Sequence, residues 1–215
     1  EFEHLSRLQK LQELFLSGPP PRPLLYNVVE KMTSLRALKM TYFPNDFDRI
    51  VDNCIQLTKL VIRSSRNDAN TQITSIQKLT HLRVLKLVIA PNIPPVEFDG
   101  LVQLVHLTEL VLFGALFSTN VTRGDLNALT NLRALKLTQM RIDNFSECFE
   151  KLTKLERLVV HQRKTSHAVS IFEECLVLPK LTSLEVDSLT TKGNYHRMDE
   201  LTQLKALQVD VSHNI

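Results

Sequence analysis

Apolar residues recur along the chain in a fixed frame, apolar-x-x-apolar-x-x-apolar-x-apolar, with polar residues filling most of the gaps. The clearest copy is Leu129, Leu132, Leu135 and Leu137. Earlier copies are Leu8/Leu11/Leu14/Leu16, Met32/Leu35/Leu38/Met40, Cys54/Leu57/Leu60/Ile62, Leu79/Leu82/Leu85/Leu87 and Leu104/Leu107/Leu110/Leu112. Later copies are Leu152/Leu155/Leu158/Val160, Leu178/Leu181/Leu184/Val186 and Leu201/Leu204/Leu207/Val209. The third apolar position recurs after 24, 22, 25, 25, 25, 23, 26 and 23 residues. The final apolar-x-apolar step alternates, as a short strand with one buried face does. Nine strands are therefore predicted, near residues 13–17, 37–41, 59–63, 84–88, 109–113, 134–138, 157–161, 183–187 and 206–210. Stretches upstream of several of them (24–31, 46–53, 98–103, 125–129, 145–151 and 168–176) read as short helices or irregular turns. A single unit of this kind cannot bury its apolar side, so the units stack. The strands then form one parallel sheet, about 40 Å long at roughly 4.8 Å per strand.

This frame at this period resembles the leucine-rich-repeat family. The resemblance implies an α/β fold, a curved solenoid with a parallel sheet on its concave face and short helical or irregular segments on its convex face. It covers residues 1–215 as a single array of about nine repeats. The most regular form of the family carries Asn in the turn after each strand. Here those positions are Pro19, Phe43, Ser65, Ala90, Ala115, Met140, Arg163, Leu189 and Ser212, so an irregular arc with apolar-packed turns is expected. The copy from Asn53 to Ile62 resembles the cysteine-containing subclass common in ubiquitin-ligase substrate receptors. The uneven repeat length resembles the arrays of intracellular immune receptors. The resemblance implies a non-catalytic scaffold for protein–protein interaction. The alternative it implies is the recognition part of a larger protein, such as an F-box ubiquitin-ligase receptor or an intracellular immune receptor.

Composition narrows this picture. The net charge is only +3, with both signs spread along the chain, which argues against the dense basic stripe of a nucleic-acid-binding protein. No apolar run is long enough to cross a bilayer. Cys54, Cys148 and Cys175 are odd in number and widely spaced, and the cysteine-rich end caps of extracellular relatives are missing. Buried reduced thiols and a cytoplasmic or nuclear setting are expected. Two glycosylation-type triplets, at Asn120 and Asn144, carry little weight against chance. The chain opens Glu1-Phe2, which a common cloning site encodes, and closes at Ile215 directly after a frame copy. With no polar cap at either end, the expectation is a piece of a longer protein or ends covered by a partner.

Chemistry is sparse. There is no nucleophile elbow, phosphate-cradling loop, H-E-x-x-H or C-x-x-C, and no cofactor or metal is expected. His161 and His167 flank a loop with two cations and no nearby carboxylate or thiol, which suits a solvated rim better than a metal site. The stretches 18–23 and 90–95 are proline-rich turns, and 64–72, 117–124, 161–167 and 190–197 are polar loops that share one rim. Strand alternation points instead to the sheet face opposite the leucines. There Val84, Val88, Val111 and Phe113 make an apolar centre, and Lys39, Arg63, Lys86, Lys136 and His161 surround it. Lys59 and Arg157 add to that charged surround, and Glu185, Asp187 and Asp210 close the C-terminal end. Apolar anchors within a charged rim suit recognition of a protein or peptide that is partly apolar and acidic where it meets the lysines. No small-molecule substrate is expected.

Overall fold

A computed structural model describes residues 4, 7–18, 28–42, 47–64, 75–89, 100–114, 123–140, 148–162, 171–187 and 197–210. A strand forms at each copy of the frame: β1 Glu13–Leu16, β2 Ala37–Met40, β3 Lys59–Ser64, β4 Val84–Ile89, β5 Glu109–Phe113, β6 Ala134–Met140, β7 Arg157–Gln162, β8 Ser183–Asp187 and β9 Ala206–Asp210. They pair in chain order as one parallel sheet of nine strands. The third frame positions sit side by side, Leu60 with Leu85, Leu85 with Leu110, Leu110 with Leu135 and Leu135 with Leu158. Because side chains alternate strictly, this register sends every frame leucine to the same side of the sheet.

Behind the sheet those leucines make one continuous core from Leu16 to Leu201. A second apolar column lies three residues ahead of the first frame position. It runs Val29, Val51, Ile76, Leu101, Leu126, Phe149, Cys175 and Met198, and all but the half-buried Met198 are fully enclosed. These residues set the winding of each unit. The N–H of the first frame residue donates to the carbonyl of this column, as in Leu79 to Ile76 and Leu104 to Leu101, both at 2.9 Å. The next frame residue repeats the step, Leu82 to Leu79 and Leu107 to Leu104. Each unit thus turns through successive tight three-residue bends before entering its strand.

A rung-to-rung ladder continues the sheet beyond the starts of its strands. The residue before a strand and the strand's first residue both donate to one carbonyl of the previous rung. Thr58 and Lys59 donate to Arg36 O, Arg83 and Val84 to Thr58 O, and Thr108 and Glu109 to Arg83 O, at 2.8–3.1 Å. Where the first of these residues is threonine its hydroxyl donates to the same carbonyl, from Thr58 at 3.1 Å, Thr108 at 3.1 Å and Thr182 at 3.2 Å.

On the other side of the core the upstream stretches form the helices Phe47–Asn53, Arg123–Asn127 and Ile171–Cys175 and the 3-10 turns Ser75–Lys78, Leu101–Gln103 and Met198–Glu200. Neighbouring segments are tied together. Asp48 accepts from the backbone N–H and hydroxyl of Ser75, and Lys78 meets Asp52 at 2.5 Å. Gly100 enters its turn with φ of 90°, and a Cβ there would lie 2.5 Å from Gln77 Cβ. A bulge at Gln139, φ 58°, shifts the register of β6. Of the expected helix at 24–31 only residues from 28 onward are described, and of that at 145–151 only those from 148. The turn positions after the strands lie outside the described residues, apart from the backbone of Met140. So do His167, most of both proline-rich stretches and the bulk of the four polar loops. Among the described residues no helix is long and apolar enough to cross a membrane.

Candidate interaction face

The middle side chain of each strand points away from the leucine core, which brings side chains from consecutive rungs together on the sheet's open face. Between β3 and β7 this face carries a depression of about 370 Å³. Val88, Val111 and Val159 supply apolar surface, and Arg63, Lys86, Lys136 and Arg157 bring four cations. Glu109 lines the depression and holds Lys86 Nζ at 2.6 Å. Arg157 reaches Glu185 at 3.8 Å. Lys136 and Arg63 carry no ion pair among the described residues, so the depression keeps net positive charge.

Five of the nine residues singled out from the sequence line this depression: Arg63, Lys86, Val88, Val111 and Lys136. The other four lie around it. Lys39 is on β2 with its ammonium 4.5 Å from the centre of the Phe15 ring, a cation–π contact at the far end of the sheet. Val84 and Phe113 are half-buried on β4 and β5. His161 lies on β7 with Nε2 3.4 Å from Glu185 Oε1. Glu109, Arg157 and Val159 also line it, and alternation alone places all three on the open side.

Burial on this face departs from simple alternation. Val61 and Val159 belong to the outward-facing column, yet they are 4% and 1% exposed and stand apart from the leucine core. Each stands in register between two long polar side chains, Val61 between Lys39 and Lys86, Val159 between Lys136 and Glu185. Aliphatic stems of such residues cover neighbouring apolar surface while their heads stay in water. Val111 also lies in register between two lysines, Lys86 and Lys136, and stays half-exposed. At the C-terminal end of the strands, Thr138 and His161 are register partners. Thr138 Oγ1 is shielded from solvent with no hydrogen-bond partner among the described residues, and His161 Nε2, equally shielded, faces Glu185 at 3.4 Å.

The three thiols are free and buried. Burial pushes Cys54 up to about 12. Cys175 is raised by burial and further by the charge of Glu174. Thiols held protonated in this way make poor nucleophiles and pack as small apolar groups. Among the described residues no His, Cys, Asp and Glu side chains gather into a metal-binding group.

No protein-family model matches the chain, and no curated protein matches it. Solved structures do. An internalin from Listeria monocytogenes superposes with a TM-score of 0.62 at 19% identity, over 99% of this chain and 66% of the internalin. A leucine-rich-repeat protein from Leptospira interrogans gives 0.63 at 20% identity, over 94% of this chain and 50% of that one. The fold is a leucine-rich-repeat solenoid. A second Listeria internalin, C2, gives 0.59 at 18% identity over 85% of this chain and 74% of its own. At this level of identity the likeness concerns the fold, and the open face of the sheet is the solenoid's concave surface.

Proposed function

We propose that this solenoid is a non-catalytic protein-interaction module that holds a protein or peptide on its concave sheet. The depression between β3 and β7 carries this reading. It combines an apolar floor that a partner side chain can desolvate with Lys136 and Arg63, two cations that have no carboxylate of their own among the described residues. The segment it suits presents an apolar side chain beside an aspartate or glutamate. The solvent-shielded Thr138 hydroxyl adds support, because buried polar atoms are ordinarily satisfied and this one has no hydrogen-bond partner among the described residues. The three buried free thiols support a reducing, cytoplasmic or nuclear setting.

The test is selection of short peptides on the whole chain, followed by affinity measurement on face variants. Peptides carrying an acidic residue next to an apolar one should be enriched. Their binding should weaken tenfold or more with Val111→Asp or Lys136→Glu, fall with Phe113→Ala, and survive Val102→Asp on the opposite surface. Equal binding by the face variants and the parent, with unchanged circular dichroism, would refute the assignment.

A further inference from the structure

A second depression, of about 390 Å³, lies on the edge of the sheet where the strands begin. It is lined by Arg36, Gln56, Thr58, His81, Arg83 and His106. Repetition builds it. Arg36, Thr58 and Arg83 immediately precede β2, β3 and β4, and Gln56, His81 and His106 occupy one equivalent position a bend earlier in three successive units. Adjacent rungs are roughly 4.8 Å apart, so the two arginines start about 10 Å from each other, and the two histidines occupy adjacent rungs.

The lining contains two arginines and two imidazoles and no carboxylate. Among the described residues, acids on the neighbouring units are engaged elsewhere: Glu30 with Arg49, Asp52 with Lys78, Asp48 with Ser75 and Glu109 with Lys86. Glu13 stands out on β1. Farther along the same edge the pattern differs. Arg133, the counterpart of Arg36 and Arg83, is neutralised by Glu156 at 2.9 Å, and Lys154 donates to Asn131 at 2.6 Å. Arg36 and Arg83 have no such acid among the described residues. Arg36 is also partly fixed, its Nη1 donating to the carbonyls of Thr33 and Leu35 at 3.3 Å each. Its remaining N–H groups, the guanidinium of Arg83 and a ring N–H from each histidine are donors around one open space. The Thr58 hydroxyl donates to Arg36 O and stays with the backbone.

From this arrangement we propose that the strand-entry edge binds a phosphate monoester or inorganic phosphate, with Arg36 and Arg83 as the charged clamp and His81 and His106 as flanking donors. Guanidinium groups match the paired oxygens of such an anion in geometry as well as charge. The site is independent of the concave depression, so either assignment can fail while the other stands.

The experiment is a titration of the full chain, followed by NMR of the histidine ring protons, at constant ionic strength. One arm uses inorganic phosphate. The other uses a short uncharged peptide bearing one phosphoserine, with its unphosphorylated form as the control. The His81 and His106 signals should shift saturably, and Arg83→Gln should weaken binding about tenfold, the scale of one lost charge-assisted hydrogen bond. Arg36→Gln should do likewise, and Lys180→Gln should change nothing. Tighter binding of the phosphopeptide than of inorganic phosphate identifies a partner-borne group, and equal binding identifies the free ion. Shifts that fail to saturate, spread evenly over all histidines, persist unchanged in Arg83→Gln or appear with the unphosphorylated peptide would overturn the proposal.

Discussion

Replacing Leu110 with alanine tests the stacked core at its centre. Leu110 is 0% exposed and lies in register between Leu85 and Leu135, themselves fully enclosed. Truncation removes buried aliphatic surface and leaves a cavity between rungs. Such changes cost about 2–5 kcal/mol, and a site walled on both sides by rigid neighbours belongs toward the upper part of that range. The adjacent Val111 is half-buried on the opposite side, so Val111→Ala should cost only about 0.5–1 kcal/mol. Contacts that run rung to rung also predict coupling. The pair Leu85→Ala and Leu110→Ala should deviate from additivity by about 0.5–3 kcal/mol, whereas Leu38→Ala with Leu184→Ala, far apart in the array, should add to within about 0.5 kcal/mol. The assay is urea unfolding followed by far-ultraviolet circular dichroism, with the denaturant slope compared across variants. Equal losses at Leu110 and Val111, or additivity for Leu85 with Leu110, would refute the stacking geometry. Leu110→Asp should unfold the array outright, because a buried carboxylate there has nothing to pair with.

Two further predictions concern particular residues. Gly100→Ala combines a left-handed backbone with a Cβ 2.5 Å from Gln77 Cβ and should cost more than Gly18→Ala, which shares the positive φ but meets nothing within 4 Å. Expected losses are about 2–3 and about 1 kcal/mol respectively, and equal urea midpoints would remove the steric argument. Cys54 links stability to alkaline pH: its thiol ionises near 9 when unfolded and near 12 when folded, so the unfolded chain holds fewer protons between these values. The contribution is fully present below about pH 9 and is lost as pH rises toward 12. The urea midpoint of Cys54→Val should therefore fall less between pH 8 and pH 10.5 than that of the parent, and parallel falls would contradict the buried thiol.

Most of the fold was legible in the sequence because one residue type repeats at one position. Leu60, Leu85, Leu110, Leu135 and Leu158 give strand, register and buried side together, since a one-residue slip would turn all of them to water. The second core column was missed for the opposite reason. Val29, Ile76, Phe149, Cys175 and Met198 share a place but not a chemistry, and the turns and helices of this column are too short to display a helical period. On the open face alternation assigned the side but not the burial. It could not show that Val61 and Val159 lie enclosed between longer neighbours, because that depends on where lysine stems settle. Nor could it show that Lys39 stacks on Phe15, or that Glu109 captures Lys86. The strand-entry depression went unnoticed because its arginines and histidines are far apart in sequence and resemble ordinary polar filling of the frame. Only the register brings Arg36, His81, Arg83 and His106 to one place.

The most direct measurement is alternation along the central strand. Single cysteines at Glu109, Leu110, Val111, Leu112 and Phe113 would be assayed for alkylation rate in the folded chain, whose own three thiols are buried. Fast reaction at 109, 111 and 113 with slow reaction at 110 and 112 is the expected pattern for a leucine-locked stack with one face left open. Uniform rates along the strand, or slow reaction at 111, would contradict it.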